Sequence, residues 1–270
     1  MNVRASARPN PGAGQWMAFA IMLFTTIFFL PTLALAQDDG ARKILKSMSD
    51  YVATQQNISI AYDSDVEVIT HDLQKIQFAS SGQLRLSRPD KLQANRTGGY
   101  SDAEFFFDGK TFTIYGKHLN AFAQSDSPGS IDEVVDRLRS EYHVEAPGAD
   151  LLLSRVYDEL IDGVVEAKHI GRGVIDGVEC EHLAFRNQDT DWQLWVEAGD
   201  RPIPRKYVIT SKAVTGGPQY TLRIKEWKTD QQPAADAFTF TPPAGAKKVD
   251  FKELSDMDEV PAGVVIGGSE

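Results

Sequence analysis

The chain has 270 residues, a single cysteine and a formal net charge of −10. This acidic balance disfavours nucleic acid as a partner, because phosphates attract basic surfaces. One cysteine excludes an internal disulfide, so burial alone must hold the fold together.

The N-terminus has the pattern of a secretory signal peptide. Positive charge at Arg4 and Arg8 precedes a largely apolar run over residues 16–30, and Ala-Leu-Ala ends at Ala36. The run is short for a membrane-spanning helix, which needs about 20 apolar residues. An uncleaved anchor is therefore the weaker alternative. We expect an exported protein, cleaved after Ala36, with no stable membrane insertion after that cleavage.

Removal of residues 1–36 leaves 234 residues (270 minus 36) and a net charge of −12 (26 basic against 38 acidic). That length suits one large domain with a real core. We expect the domain to cover residues 37–254. Residues 255–270, first acidic and then rich in Gly and Val, are expected to form a disordered tail.

The first half of the domain predicts one helix followed by a strand meander. Apolar residues recur at helical spacing over residues 41–55, and period-two alternation begins at Ile58. Ser80-Ser81-Gly82 interrupts the alternation and predicts a bulge or a bend. Asp108-Gly109 predicts a hairpin. The pattern continues to about residue 124 as antiparallel strands.

Two helical segments and a second run of strands follow. Ser130 and Glu133 form a capping-box pattern at the start of a helix over residues 130–142. A second helical segment with a broad apolar face covers residues 151–161. Strands are then predicted over residues 173–186, 193–197, 205–211 and 220–227. This order indicates one curved antiparallel sheet with helices on a single face.

Catalytic and metal-binding patterns are weak. Cys180 and His182 share a strand face and suggest a metal pair, but a buried, inert thiol and a hydrogen-bonded His are the stronger interpretation. Glu179 and Glu181, on the opposite face, are better explained as solvated strand carboxylates than as an acid–base pair. We therefore expect no catalytic residue, no metal, no cofactor and no enzymatic activity.

Three segments carry a family resemblance: residues 88–98, 177–210 and 238–251. They resemble a family of predicted periplasmic proteins of unknown function, which is grouped by fold with the lipoprotein carriers LolA and LolB and with LppX-type lipid-binding proteins, and the resemblance implies a periplasmic location. Residues 107–124 also resemble a hairpin of the lipoprotein carriers themselves. The resemblance implies an α+β fold: an open antiparallel β half-barrel of about eleven strands, with helices covering the concave face. In the carriers, that covered hollow takes acyl chains.

The favoured function is therefore shelter for an apolar ligand, a lipid or a lipoprotein acyl chain. Alternating strand-face residues and the second helical segment supply the lining candidates, although apolar periodic residues are more often plain core. They are Phe105, Phe107, Phe112, Ile114, Trp192, Leu194, Leu152, Val156 and Leu160. Trp195 lies on the strand face opposite Trp192, so that strand is either covered on both sides or lines a cavity. The alternative is an envelope protein-interaction module that binds a protein partner and has a filled core.

Overall fold

The computed structural model describes residues 32–144, 146–229, 231–234, 236–254 and 260, with side chains from residue 38 onward. Its helices are α1 (Thr32–Thr54), α2 (Ile131–Tyr142) and α3 (Val156–Ile161), with 3₁₀ turns at Ala149–Leu152 and Phe251–Glu253. Its strands are β1 (Asn57–Ile69), β2 (Lys75–Ser87), β3 (Lys91–Gly98), β4 (Asp102–Phe107), β5 (Thr111–Gly116), β6 (Ala121–Asp126), β7 (Glu166–Ile175), β8 (Val178–Arg186), β9 (Thr190–Glu197), β10 (Pro204–Ser211), β11 (Gln219–Lys228) and β12 (Lys247–Lys248).

All twelve strands form one sheet in the order β12-β6-β5-β4-β3-β2-β1-β11-β10-β9-β8-β7. The eleven long strands pair antiparallel, and the two-residue β12 adds to β6 in parallel. In the part of the chain that the structure describes, β12 and β7 stay apart as the two edges, so the sheet is open. The predicted α+β half-barrel is confirmed.

The connection between β6 and β7 sets the architecture. These strands are consecutive in sequence, yet β7 is one edge of the sheet and β6 lies next to the other. Residues 127–165, which include α2 and α3, must therefore pass from one side of the sheet to the other. We call residues 130–161 the cover.

The helices and one face of the sheet share a single hydrophobic core. We call this face of the sheet the inner face. Helix α1 contributes Leu45 and Met48, both fully buried, and it packs against β7, β8 and β9. Helix α2 begins as the sequence predicts, with Ser130 as N-cap and Glu133 closing the capping box. One apolar core therefore holds the sheet and the helices together.

Three local predictions need correction. The strand predicted over residues 173–186 is a hairpin, because Asp176-Gly177 turns the chain between β7 and β8. The helical segment predicted over 151–161 divides into the 3₁₀ turn and α3. The interruption predicted at Ser80-Ser81-Gly82 is absent, since β2 pairs with β1 without a break from residue 75 to residue 87.

Gly82 allows the Tyr62 ring to approach the backbone closely, and it does not mark a bend. Tyr62, directly opposite on β1, lies over Gly82 and donates a hydrogen bond from its hydroxyl to the Asn95 backbone oxygen, 3.0 Å away. A Cβ at Gly82 would stand 2.4 Å from Tyr62 Cζ and 2.3 Å from the Asn95 oxygen. The lack of a side chain therefore admits the Tyr62 ring.

The signal peptide and the tail fall largely outside this description. Residues 1–31 and, apart from Val260, residues 255–270 are not among those described, so both expectations stay predictions. Helix α1 starts earlier than the sequence pattern predicts, at Thr32. Within the described residues, no helix combines the length and the apolar character that crossing a membrane requires.

We expect Gly82→Ala to lower the free energy of unfolding by about 1–3 kcal/mol, because the added methyl group would overlap both the Tyr62 ring and the Asn95 backbone. Urea denaturation measures the change. Gly99→Ala is the matched control, since a Cβ at Gly99 meets nothing within 4 Å. Equal stability of the two variants would contradict this account of Gly82.

Candidate functional site

Strands β4 and β5 supply one apolar part of the inner face. Phe107 stands opposite Phe112, and Phe105 stands opposite Ile114. Phe107 and Phe112 are fully buried, Ile114 is nearly so, and Phe105 is partly buried against the same core. Four of the nine lining candidates therefore form one aromatic and aliphatic patch.

Strand β9 supplies two more candidates to the same face. Trp192 stacks on Phe185 of β8 with ring centroids 3.9 Å apart, and its indole N–H donates to Asn187 Oδ1 at 3.0 Å. Leu194, two residues on, is fully buried. The inner face is therefore apolar on both halves of the sheet.

The cover supplies the last three candidates. Leu152 ends the 3₁₀ turn, Val156 and Leu160 lie on α3, and all three are buried. Helix α3 and the 3₁₀ turn both contact α1. The structure thus brings all nine candidates into one hydrophobic core, and their role in lining a ligand site stays a prediction.

Arg88 fixes the cover to the rest of the chain. Its Nη2 donates to the Leu152 carbonyl at 2.7 Å, and its Nε donates to the Gln55 carbonyl at 3.1 Å. One guanidinium thus joins the β2–β3 turn, the residue after α1 and the 3₁₀ turn. Burial lowers the pKa of Arg88, and the Asp132 carboxylate opposes that shift.

Polar contacts also join the parts of the cover to one another. The Ser154 backbone N–H donates to Asp132 Oδ1 at 3.0 Å, and the Ser154 hydroxyl donates to the same carboxylate. Arg139 of α2 donates to Asp150 at 2.5 Å. These contacts make the cover one connected segment.

Trp195 lies on the outer face of β9, where side chains of neighbouring strands contact its ring. Its ring stacks on His182 with centroids 4.1 Å apart, and Lys206 Nζ lies 5.0 Å from its centroid. The His182 Nε2 is 2.9 Å from Gln193 Oε1. Strand neighbours therefore cover Trp195, and His182 is occupied as a strand hydrogen-bonding group.

The side chains of Cys180, Glu179 and Glu181, which the sequence offered for chemistry, have structural roles in the strands. Cys180 is fully buried, and burial raises the pKa of its thiol, which makes it less reactive. Arg172 forms ion pairs with both Glu179 and Glu181, and Glu181 also lies 2.7 Å from His169 Nε2. The two carboxylates are thus engaged by neighbouring strand side chains. Among the described residues, no group of three His, Cys, Asp or Glu could hold a metal ion.

Arg96 is a charged residue on the inner face that the sequence pattern did not single out. Arg96 lies on β3 two positions beyond Ala94 and four beyond Leu92, and it pairs across the sheet with Gly82. Its Nη2 donates to Ser101 Oγ at 2.9 Å. Period-two counting along β3 would have placed Arg96 on the core face with Leu92, and that signal was not used.

This geometry defines a class: a helix-covered, open β half-barrel with an apolar inner face. The chain belongs to the family described as "Predicted periplasmic protein (DUF2092)", which matches residues 41–252. This confirms the resemblance to a periplasmic family that the sequence motifs carry. A comparison with curated protein sequences finds no match.

Solved structures with a similar arrangement include LprF from Mycobacterium bovis, at 12% identity and a TM-score of 0.44, covering 74% of this chain and 98% of that one. The MucA/MucB complex of Pseudomonas aeruginosa gives 12% identity and a TM-score of 0.40, covering 75% and 61%. A LolA superfamily protein from Nitrosomonas europaea gives 12% and 0.26, covering 74% and 97%.

We expect Arg88→Met to lower the free energy of unfolding by about 2 kcal/mol, because it leaves partly buried carbonyl groups of Gln55 and Leu152 without their charged donor. Chemical denaturation measures the loss. Arg85→Met makes the same chemical change at an exposed position of β2, and it should be nearly neutral. If both variants lose the same stability, the role given to Arg88 is wrong.

Proposed function

We propose that this is an exported, non-catalytic periplasmic protein that shelters an apolar ligand between the inner face of the sheet and the cover. The ligand would be a lipid or the acyl chain of a lipoprotein. The proposal includes cleavage after Ala36 and a single folded domain over residues 37–254. The family description supports the periplasmic location.

The observation that carries this proposal is the crossing connection between β6 and β7. The pairing of the eleven long strands is continuous without the cover. The cover could therefore separate from the inner face without breaking any pair of strands. Separation would expose one broad apolar surface on the inner face of the sheet and a second one on the cover.

Desolvation would supply the affinity. Apolar surface transferred from water stabilises a complex by roughly 25 cal/mol per Å². A ligand inserted beneath the cover would replace one set of apolar contacts with another. Its own hydration would be lost in addition, and that loss would favour binding.

Trp192 and Trp195 offer a matched test on one strand. A fluorescent long-chain fatty acid is titrated into the full chain, and binding is confirmed by native mass spectrometry. We expect Trp192→Ala, on the inner face, to weaken the affinity about tenfold or more, because a buried aromatic side chain contributes roughly 1.5–3 kcal/mol of apolar contact. Trp195→Ala, on the outer face, should bind like the wild type.

Circular dichroism first establishes that both variants fold. If Trp192→Ala does not fold, Phe105→Ala replaces it, because Phe105 lies on the inner face and is only partly buried. A wild-type protein that binds no fatty acid, phospholipid or lipopeptide would refute the proposal.

The alternative is an envelope protein-interaction module without a lipid ligand. The observation in its favour is that eight of the nine lining candidates are at most 8% exposed within one packed core, with Phe105 as the exception. A lining that is already filled needs no ligand. The same titration separates the two functions, since the module would bind no apolar probe in either tryptophan variant or in the wild type.

A further inference from the structure

Part of the inner face is only partly buried. On β2, each inner-facing residue from Ile76 to Leu84 is partly exposed, whereas Leu86 is fully buried. Ala94 and Phe105 lie in register with Leu84 on the next two strands, and both are partly exposed as well. We call Leu84, Ala94 and Phe105 the open row. It is apolar surface of the inner face that the rest of the chain does not fully cover.

The open row continues into the buried core toward Trp227. Ile60 on β1 stands opposite Leu84, and Trp227 on β11 stands opposite Ile60. Residues directly opposite each other in an antiparallel pair share one face of the sheet. Trp227 and Phe105 therefore belong to one row that crosses five neighbouring strands. Adjacent strands lie about 4.8 Å apart, so the four intervals come to roughly 19 Å. The row is long enough for an acyl chain.

The indole N–H of Trp227 is a buried donor without an acceptor. The side chain is 7% exposed, and among the described residues nothing accepts a hydrogen bond from its Nε1. Trp192 is buried to a similar degree, yet its indole N–H donates to Asn187. Buried tryptophans usually find such a partner, and a buried donor without one loses the hydrogen bond that it made to water. Trp227 therefore has an unused donor in the core that the open row enters.

Asn57 does not supply the missing acceptor. Its Oδ1 is buried and has no hydrogen-bond partner within the described part of the chain. Asn57 alternates with Ile58 and Ile60 along β1, however, so it lies on the opposite face of the sheet from Trp227. The two unpaired atoms therefore do not face each other.

The surroundings of this donor favour an uncharged acceptor. The indole N–H is neutral, and Ile60, its neighbour in the row, is apolar. A carboxylate or a phosphate would lose its hydration there, which costs far more than the same loss for a carbonyl. An ester carbonyl is uncharged, accepts hydrogen bonds and lies at the end of an acyl chain. A plain hydrocarbon would leave the N–H without a partner.

We propose that the ligand is an acyl ester whose chain lies along the open row and whose ester carbonyl accepts a hydrogen bond from Trp227. This inference rests on the proposed function and names the chemical class of its ligand. Because Trp227 is buried, side chains beside the row shift to admit the carbonyl, while the strand pairs stay intact. The hydrogen bond fixes the carbonyl end of the ligand, and contacts with Leu84 and Phe105 hold its chain.

The test compares methyl dodecanoate with tetradecane, two uncharged chains of equal length of which only the first has a carbonyl. Both are supplied from cyclodextrin to the full chain, and affinity is measured by displacement of a fluorescent fatty acid. We expect Trp227→Phe to weaken binding of the ester about tenfold more than binding of the hydrocarbon, because the phenyl ring removes the donor and remains apolar. The loss of apolar contact affects both probes, so the ratio of the two affinities isolates the hydrogen bond.

Trp195→Phe is the matched control, because it makes the same change on the outer face of β9, where Trp195 stacks on His182. It should leave both affinities at their wild-type values. Equal weakening of the two probes by Trp227→Phe would overturn the carbonyl site and leave the proposed function standing. Failure of the wild type to bind either probe or the fluorescent fatty acid would remove both.

If Trp227→Phe does not fold, the wild type itself provides the test. Its indole groups are labelled with nitrogen-15, and the resonance of Trp227 is assigned by elimination from Phe replacements of the other tryptophans. Methyl dodecanoate should move the Trp227 indole proton downfield, because a new hydrogen bond forms, and tetradecane should not. An unchanged resonance with the ester bound would overturn the proposal.

Phospholipids and lipoproteins both carry acyl esters, and a second arm of the experiment separates these two sources. A short-chain phosphatidylcholine and a diacylated lipopeptide are each titrated into the wild type and into Trp227→Phe. We expect at least one of them to bind about tenfold more weakly to the variant, and that one is the source that the site accepts. If the variant binds both as tightly as the wild type does, the carbonyl site is overturned.

Discussion

Everything in this fold depends on one connection that must cross an open sheet. Strands β6 and β7 follow each other in sequence, but β7 is one edge of the twelve-stranded sheet and β6 lies next to the other edge. The chain between them has to span the inner face, and its apolar residues bury that face because an exposed sheet surface of this size would be unstable in water. The half-barrel therefore stays open at its edges, and helices of this connection cover its inner face.

Two kinds of contact hold the cover in place, and they differ in what they specify. The hydrophobic contacts of Leu152, Val156 and Leu160 are non-directional, so they tolerate replacement by another apolar group. The contacts of Arg88 with the Gln55 and Leu152 carbonyls are directional and fix one position of the cover.

The two faces of β9 illustrate how neighbours decide the role of a residue. Trp192 and Trp195 are three positions apart, so the pleat sends them to opposite faces. Trp192 enters the core beside Phe185, whereas Trp195 is covered by His182 and Lys206 from the adjacent strands. Along the inner face itself, small and polar residues such as Gly82 and Arg96 replace the apolar rows. The same sheet surface thus combines an apolar end with a charged one.

The sequence by itself determined the elements whose signals are local: the capping box at Ser130, the hairpin at Asp108-Gly109 and the alternation of the strands. It also indicated the buried stripe of α2, which consists of Ile131, Val134, Val135 and Leu138, and Asp176-Gly177 carries a turn signal of the same local kind. The tertiary structure alone decided that β6 and β7 lie on opposite sides of the sheet, that Gly82 admits Tyr62, and that Arg88 reaches the cover. Those features join residues far apart in the chain, and periodicity carries no information about such pairs. Burial could be predicted from composition and pattern, but the partners that share it are chosen only when the whole sheet assembles.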